Sequence, residues 1–161
     1  MPETVDGGIA RMIANQEQTG LATGDPQADA FLRNRPTAVL MGILFDQRIR
    51  AEVAFCGPHK LYQRLGHFDL KKIAAMDEEA FKEVFSETPA VHRFANVMSA
   101  RTQLFARLIA EEYDGDAVNI WNDGSSLETV KKRVSKISGF GPGKLKKLVP
   151  AMNLFGHRLP G

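Results

Sequence analysis

The chain has 161 residues, enough for one domain with a substantial hydrophobic core. Hydrophobic residues make up 43% and charged residues 25%, the balance of an ordinary soluble globular protein, and no apolar run is long enough to span a membrane. The single cysteine excludes an intrachain disulfide and a four-cysteine zinc or iron–sulfur site. We therefore expect a cytoplasmic protein with no membrane partner and no iron–sulfur cluster.

The net charge of +2 conceals an uneven distribution of charge. Residues 1–128 contain 13 Lys or Arg and all 19 Asp or Glu, whereas residues 129–161 contain no acid. The basic residues of the last segment are Lys131, Lys132, Arg133, Lys136, Lys144, Lys146, Lys147 and Arg158. This asymmetry predicts a polyanion-binding face on a mildly acidic body. The alternative is a structural or protein-binding helical domain whose basic helix pair is merely solvated.

The first part of the chain divides at Asp25. Residues 1–24 contain four glycines and few large apolar residues, so we predict a loosely ordered lead-in with at most one short helix. Asp25-Pro26 pairs a capping carboxylate with a proline at the first helical position, which predicts a helix start. Residues 25–161 are then expected to form the helical domain, whose first helix ends at Arg35-Pro36.

An almost wholly apolar helix is predicted from Thr37, and its composition places it at the centre of the domain. The pattern then becomes polar at Asp46-Gln47-Arg48, so the buried helix emerges with a glutamine beside basic side chains. We predict that Gly57-Pro58 breaks the next helix, which restarts and ends at Gly66.

Further helices are predicted after the capping residues Asp69 and Asp77, and a longer one from Pro89 to Tyr113. The predicted apolar stripe of the longer helix comprises Phe94, Val97, Arg101, Leu104, Phe105, Leu108 and Ile109. No segment alternates with a period of two residues, so the predicted fold class is all-α.

A hairpin between two helices is predicted at residues 134–147. The motif Ser125-Ser126-Leu127-Glu128 matches a capping box for a helix that runs to Ile137. The turn Gly139-Phe140-Gly141 follows, and a second helix starts at Pro142. Glycines permit positive φ and expose backbone N–H groups, and a helix start adds free N–H groups, so this loop is suited to a phosphate.

In this order, three stretches resemble the helix-hairpin-helix DNA glycosylase superfamily (HhH-GPD) over residues 25–156, and most closely a compact base-excision-repair-type subgroup without an iron–sulfur cluster. They are the apolar helix that ends at Asp46-Gln47, the segment 93–116, and the hairpin Ile137-Ser138-Gly139-Phe140-Gly141 with Lys144-Leu145. The resemblance implies a helix-hairpin-helix glycosylase-like fold.

The resemblance also implies site residues. The hairpin would bind a DNA phosphate through main-chain N–H groups, with a monovalent metal ion on main-chain carbonyls as the only additional group. Gln47 would fill the space that a flipped base leaves. The DNA-binding residues carried over in this way, with their basic neighbours, are Gly139, Phe140, Gly141, Gly143, Lys144, Lys147, Gln47 and Arg48.

The family's catalytic residues are not at their expected positions. Gly143 occupies the place of the lysine nucleophile, and Gly161 that of the aspartate. Lys144 comes one residue later, and a rotation of about 100° should direct it to phosphate instead of a sugar. Asp46, beside Gln47, is the remaining candidate for the catalytic carboxylate. Its structural alternative is an ion pair with Arg48 or Arg50.

Two hypotheses follow from the resemblance. The first is a DNA glycosylase of base excision repair that acts on a flipped damaged base; the second is a non-catalytic binder of damaged or distorted duplex. Both predict a monomeric, nucleoid-associated protein whose partner is double-stranded DNA and which needs no cofactor. The four histidines have no metal-ligand spacing, and Trp121 is expected in the core.

Overall fold

The computed structural model describes residues 7–161, and within that range the regular secondary structure is entirely helical. This confirms the all-α prediction. The helices are α1 (Gly7–Thr19), α2 (Pro26–Asn34), α3 (Pro36–Phe45), α4 (Ala51–Leu65), α5 (Leu70–Ala75), α6 (Glu78–Ser86), α7 (Ala95–Glu112), a 3-10 helix (Ala117–Ile120), α8 (Leu127–Val134), α9 (Pro142–Leu145) and α10 (Leu148–Leu154).

Helix α3 lies at the centre of the fold, as its composition predicts. Every residue from Thr37 to Phe45 is buried, and α2, α4, α7, α10 and the 3-10 helix pack around it. An isolated helix without a polar face would not be stable in water, so its position is set by burial on all sides. The turn that follows α3 is therefore attached to the most buried element of the protein.

The predicted helix starts at Asp25, Asp69 and Asp77 are confirmed by capping geometry. Each aspartate side chain accepts hydrogen bonds from backbone N–H groups of the first turn. The predicted stop at Gly66 is also confirmed, because this residue adopts a left-handed conformation with φ of 76°.

Helix α4 is continuous, so the predicted break at Gly57-Pro58 is wrong. Tertiary packing explains the difference: a side chain on Gly57 would meet the Phe45 ring at 2.5 Å, and one on Gly42 would meet the Phe55 ring at the same distance. Phe45 of α3 thus packs on Gly57 of α4, and Phe55 of α4 packs on Gly42 of α3. This close crossing of α3 and α4 offsets the hydrogen bond that Pro58 cannot donate.

The described part of residues 1–24 contains a helix that is longer than the one short helix that the predicted lead-in allows for. Helix α1 has 13 residues, and Ile9 and Met12 on it are fully buried in the core. Arg11 joins it to α4 through an ion pair with Glu52, with Nη2 2.7 Å from Oε1. Residues 1–6 lie outside the described range, so the prediction is not addressed there.

Helix α7 begins at Ala95, not at Pro89, and its buried face differs from the predicted stripe. Val97 and Leu104 are 50% and 46% exposed. The buried face includes polar side chains that bond to main-chain carbonyls: Thr102 Oγ1 donates to Met98 O, and Gln103 Nε2 donates to Met76 O at 3.0 Å. Because the polar groups of Thr102 and Gln103 are hydrogen-bonded, these residues can be buried at positions that a search for apolar residues does not predict.

The helices of the hairpin are shorter than predicted. Helix α8 ends at Val134 instead of Ile137, and its cap is Ser126, whose Oγ accepts from the Thr129 N–H. The predicted capping box on Ser125 is therefore displaced by one residue. Beyond the turn, the predicted single exit helix is divided into α9 and α10.

Candidate nucleic-acid interface

Gly139 forms the sharp turn of the hairpin, and its conformation requires glycine. Its φ is +94°, and a side chain there would lie 2.9 Å from Leu44 Cδ1. Arg101 Cδ is also close to this position, at 3.5 Å. The hairpin is therefore seated directly on the end of α3 and on the middle of α7.

The N–H groups of the hairpin glycines have no internal hydrogen-bond acceptor within the described range. No hydrogen bond joins the amide of Gly139, Gly141 or Gly143 to another residue of the described range. Phe140 differs from its predicted role, because its N–H donates to Ile137 O at 3.0 Å and its ring is buried in the core. Of the four predicted amide donors, the three glycines remain able to bind a phosphate.

The implied metal ion would need main-chain carbonyl oxygens at this turn. Ile137 O accepts from the Phe140 N–H, and Gly141 O accepts from the N–H groups of Lys144 and Leu145. Both carbonyls therefore already accept hydrogen bonds from the hairpin itself.

Gln47 is held by two cations that come from other parts of the chain. Arg101 Nη1 donates to Gln47 Oε1 at 3.0 Å, and Lys144 Nζ donates to the same oxygen at 3.2 Å. The side-chain Nε2 of Gln47 donates to no other residue of the described range, whereas its backbone N–H donates to Phe45 O. The side chain is therefore oriented by its oxygen, and its NH₂ group is available to a ligand.

The side chain of Lys144 lies against the C-terminal end of α3 and the turn that follows it. Its Nζ lies 2.5 Å from Leu44 O. Burial, reinforced by the nearby charges of Arg101 and Lys147, lowers the pKa of Lys144 to about 8. This ammonium group therefore has no directly bonded counter-charge, and an incoming anion could supply one.

Asp46 forms its ion pair with Lys147, and not with Arg48 or Arg50. Lys147 Nζ lies 2.9 Å from Asp46 Oδ2, and the two side chains are only 14% and 8% exposed. The ion pair stabilises the ionised form of Asp46 and occupies its Oδ2 atom. The pair also connects the turn to the segment that joins α9 and α10.

His92 holds the C-terminal end of α3 in place. Its Nδ1 accepts from the Phe94 N–H at 2.9 Å, so the ring nitrogen Nε2 carries the proton and donates to Phe45 O at 2.8 Å. Burial lowers the pKa of His92, which keeps the ring neutral. The histidine has a packing role, as expected, and it holds the residue that precedes Asp46 and Gln47.

An open groove of about 810 Å³ lies next to the turn that follows α3, and the sequence does not predict it. We call it the arginine groove. Its charged lining comprises Arg11, Arg48, Arg50, Arg93, Lys147 and Asp46. These residues come from separate parts of the chain, so no local pattern could have brought them together.

Within residues 7–161, the acidic groups at the arginine groove are already paired. Asp46 is bound to Lys147, and Glu52 accepts from both Arg11 and Arg50. The hydrogen bond from Arg11 lowers the pKa of Glu52 to about 2. Arg48, whose φ is +58°, makes no hydrogen bond or ion pair within the described range. The groove therefore presents an excess of positive charge.

Residues 7–161 contain no group of three or more His, Cys, Asp or Glu that could hold a metal ion. Within the same range, no helix is both long and apolar enough to cross a bilayer. Trp121 is 8% exposed and belongs to the core, as predicted.

Comparison with known proteins gives no family assignment: no family model, curated protein or solved structure matches this chain. The resemblance to the helix-hairpin-helix glycosylases therefore rests on the sequence motifs alone.

Proposed function

We propose that the protein binds double-stranded DNA through its hairpin and the Gln47 turn, and that it acts there as a DNA glycosylase on a flipped damaged base. One observation carries the proposal. The unbonded amides of the hairpin glycines lie beside a turn whose glutamine is held by Arg101 and Lys144.

The charges of this surface suit a phosphate backbone. Lys144 is positively charged below a pH of about 8 but has only neutral acceptors, Leu44 O and Gln47 Oε1, within hydrogen-bond distance. A phosphate on the hairpin amides would supply the missing negative charge. The orientation of Gln47 supports a contact with DNA bases, because its free NH₂ group can donate to a base edge.

Asp46 is the catalytic candidate, and DNA binding offers a way to release it. A phosphate that attracts Lys147 would free the Asp46 carboxylate from its ion pair. The carboxylate could then take a proton from water as the water oxygen attacks C1′. The bond from C1′ to the base nitrogen breaks, its electron pair goes to the base, and a solvent proton neutralises the departing base. This step leaves the free base and an abasic site.

A specific observation favours a second candidate, a non-catalytic binder of damaged or distorted duplex. Among residues 7–161, Asp46 is the only carboxylate in the lining of the arginine groove, and it is paired with Lys147. If this pair persists on DNA, the surface can hold a duplex but cannot activate water.

A panel of lesion-bearing duplexes separates the two candidates. We expect the wild type to release a free base from at least one lesion, and Asp46→Asn to lose about a hundredfold or more of that rate, because the general base is removed. Asp114→Asn is the matched control, since this exposed aspartate pairs with Lys71 instead. Tight binding without product on every duplex would reject the glycosylase and support the non-catalytic binder.

The pH dependence of duplex binding should report on Lys144. Its pKa in the free protein is about 8, and a bound phosphate would raise it. DNA binding then requires proton uptake above pH 8, so affinity should fall about tenfold between pH 7 and pH 9 if the pKa rises by about two units. Fluorescence anisotropy at constant ionic strength would measure this fall. The Lys144→Met variant should bind more weakly with a flat profile; an equally steep profile in that variant would contradict the assignment.

A further inference from the structure

We propose that the arginine groove binds a single, unpaired DNA strand next to the duplex that the hairpin holds. This inference rests on the proposed duplex binding and names its substrate class: duplex that adjoins an unpaired segment.

The charge of the groove suits a nucleic-acid backbone. Among residues 7–161, five cations line the groove, whereas the one carboxylate there, Asp46, is paired with Lys147. Arg48 and Arg93 make no hydrogen bond or ion pair with other residues of the described range, and Arg93 only approaches the Phe94 ring, at 5.8 Å. Such a concentration of cations is suited to the phosphates of a nucleic-acid backbone.

The apolar part of the groove lining favours an unpaired strand over a duplex. Ile49 and Val53 lie among the arginines, and Val53, at 51%, is among the most exposed large hydrophobic side chains of the protein. A paired duplex keeps its base faces stacked and presents mainly phosphate and sugar to such a surface. An unpaired strand offers both phosphates and base faces, so it matches cations and apolar side chains together.

The position of the groove also suits an unpaired strand. The groove is open and has a volume of about 810 Å³, which leaves room for a flexible strand. The free guanidinium planes of Arg48 and Arg93 can stack on bases. Asp46 and Arg48, the two neighbours of Gln47 in the chain, line the groove. The Gln47 side chain itself bonds to Lys144, which belongs to the hairpin. A strand leaving a duplex at Gln47 would therefore enter the groove.

The test compares three fluorescent probes: a paired duplex, the same duplex with a short single-stranded extension, and a short oligothymidylate. We expect the wild type to bind the extended duplex about tenfold more tightly than the paired one. The Arg50→Ser/Arg93→Ser variant should lose this preference and its binding of oligothymidylate, while its affinity for the paired duplex stays the same. Arg33→Ser/Lys72→Ser, with the same change in charge at exposed sites on α2 and α5, should keep the preference.

The Gly141→Asp variant makes the failures of the two proposals distinguishable. It should lose the paired duplex and retain oligothymidylate, because its hairpin is blocked and its groove is intact. If the wild type binds both duplexes equally, or if the control variant loses the preference as well, the groove inference is overturned while duplex binding stands. If the paired duplex does not bind to the wild type at all, the proposed function fails.

Discussion

Replacement of Gly141 by aspartate is expected to abolish duplex binding and to leave the fold intact. Gly141 has a φ of −80° and open space around its Cα, so a side chain fits without strain. It is also the N-cap of α9, where an aspartate carboxylate would accept the free amide of Gly143. The new charge would then occupy the proposed phosphate position. Repulsion between such close charges should lower the affinity by about a hundredfold or more.

The matched control is Gly141→Ala, which leaves the amides free and adds no charge. It should bind duplex nearly as well as the wild type, and circular dichroism should show the same helical content in both variants. Gly139 is a poorer position for this test, because its φ of +94° and its contact with Leu44 would disturb the fold directly. Unchanged duplex binding by Gly141→Asp would show that the hairpin does not hold DNA.

Replacement of Gly42 by alanine should destabilise the whole domain. The added methyl group would lie 2.5 Å from Cδ1 and 3.1 Å from Cγ of Phe55, a ring that is fully buried and cannot move aside cheaply. Overpacking of this kind costs about 2 kcal/mol even after the better helix propensity of alanine is allowed for. Chemical denaturation monitored by circular dichroism would measure the change in the free energy of unfolding.

Two further variants make the Gly42 result specific. Gly143→Ala also changes a helical glycine, but nothing lies within 4 Å of the added group, so its stability should change by less than about 1 kcal/mol. Gly42→Ala combined with Phe55→Leu should recover part of the loss, because a smaller side chain then faces the methyl group. A single Gly42→Ala variant as stable as the wild type would contradict the close crossing of α3 and α4.

The parts of the fold that the sequence predicts are those decided by local composition. Helix α3 is recognisable because an unbroken apolar helix can only be buried, and the turn after it is recognisable because polarity changes abruptly at Asp46. The aspartate caps are likewise local, since each carboxylate meets amides of its own first turn. The glycine turn of the hairpin belongs to the same class of features.

The remaining features depend on contacts between distant residues. Gly57-Pro58 looks like a break until the Phe45 ring is seen to pack on Gly57. The partners of Gln47 are 54 and 97 residues away, so no spacing rule could identify them. The arginine groove is likewise assembled from separate segments of the chain. The ion pair of Asp46 could not be predicted either, because its partner Lys147 lies far away in the sequence.

The central claim is that the hairpin and the Gln47 turn bind duplex DNA through phosphates. The most direct test is the equilibrium affinity of the wild type for a paired duplex, measured over a series of salt concentrations. If Arg101, Lys144 and Lys147 each neutralise a phosphate, the logarithm of the association constant should fall with the logarithm of salt concentration at a slope of about −3. Absence of binding at low salt, or binding that does not change with salt, would contradict the claim.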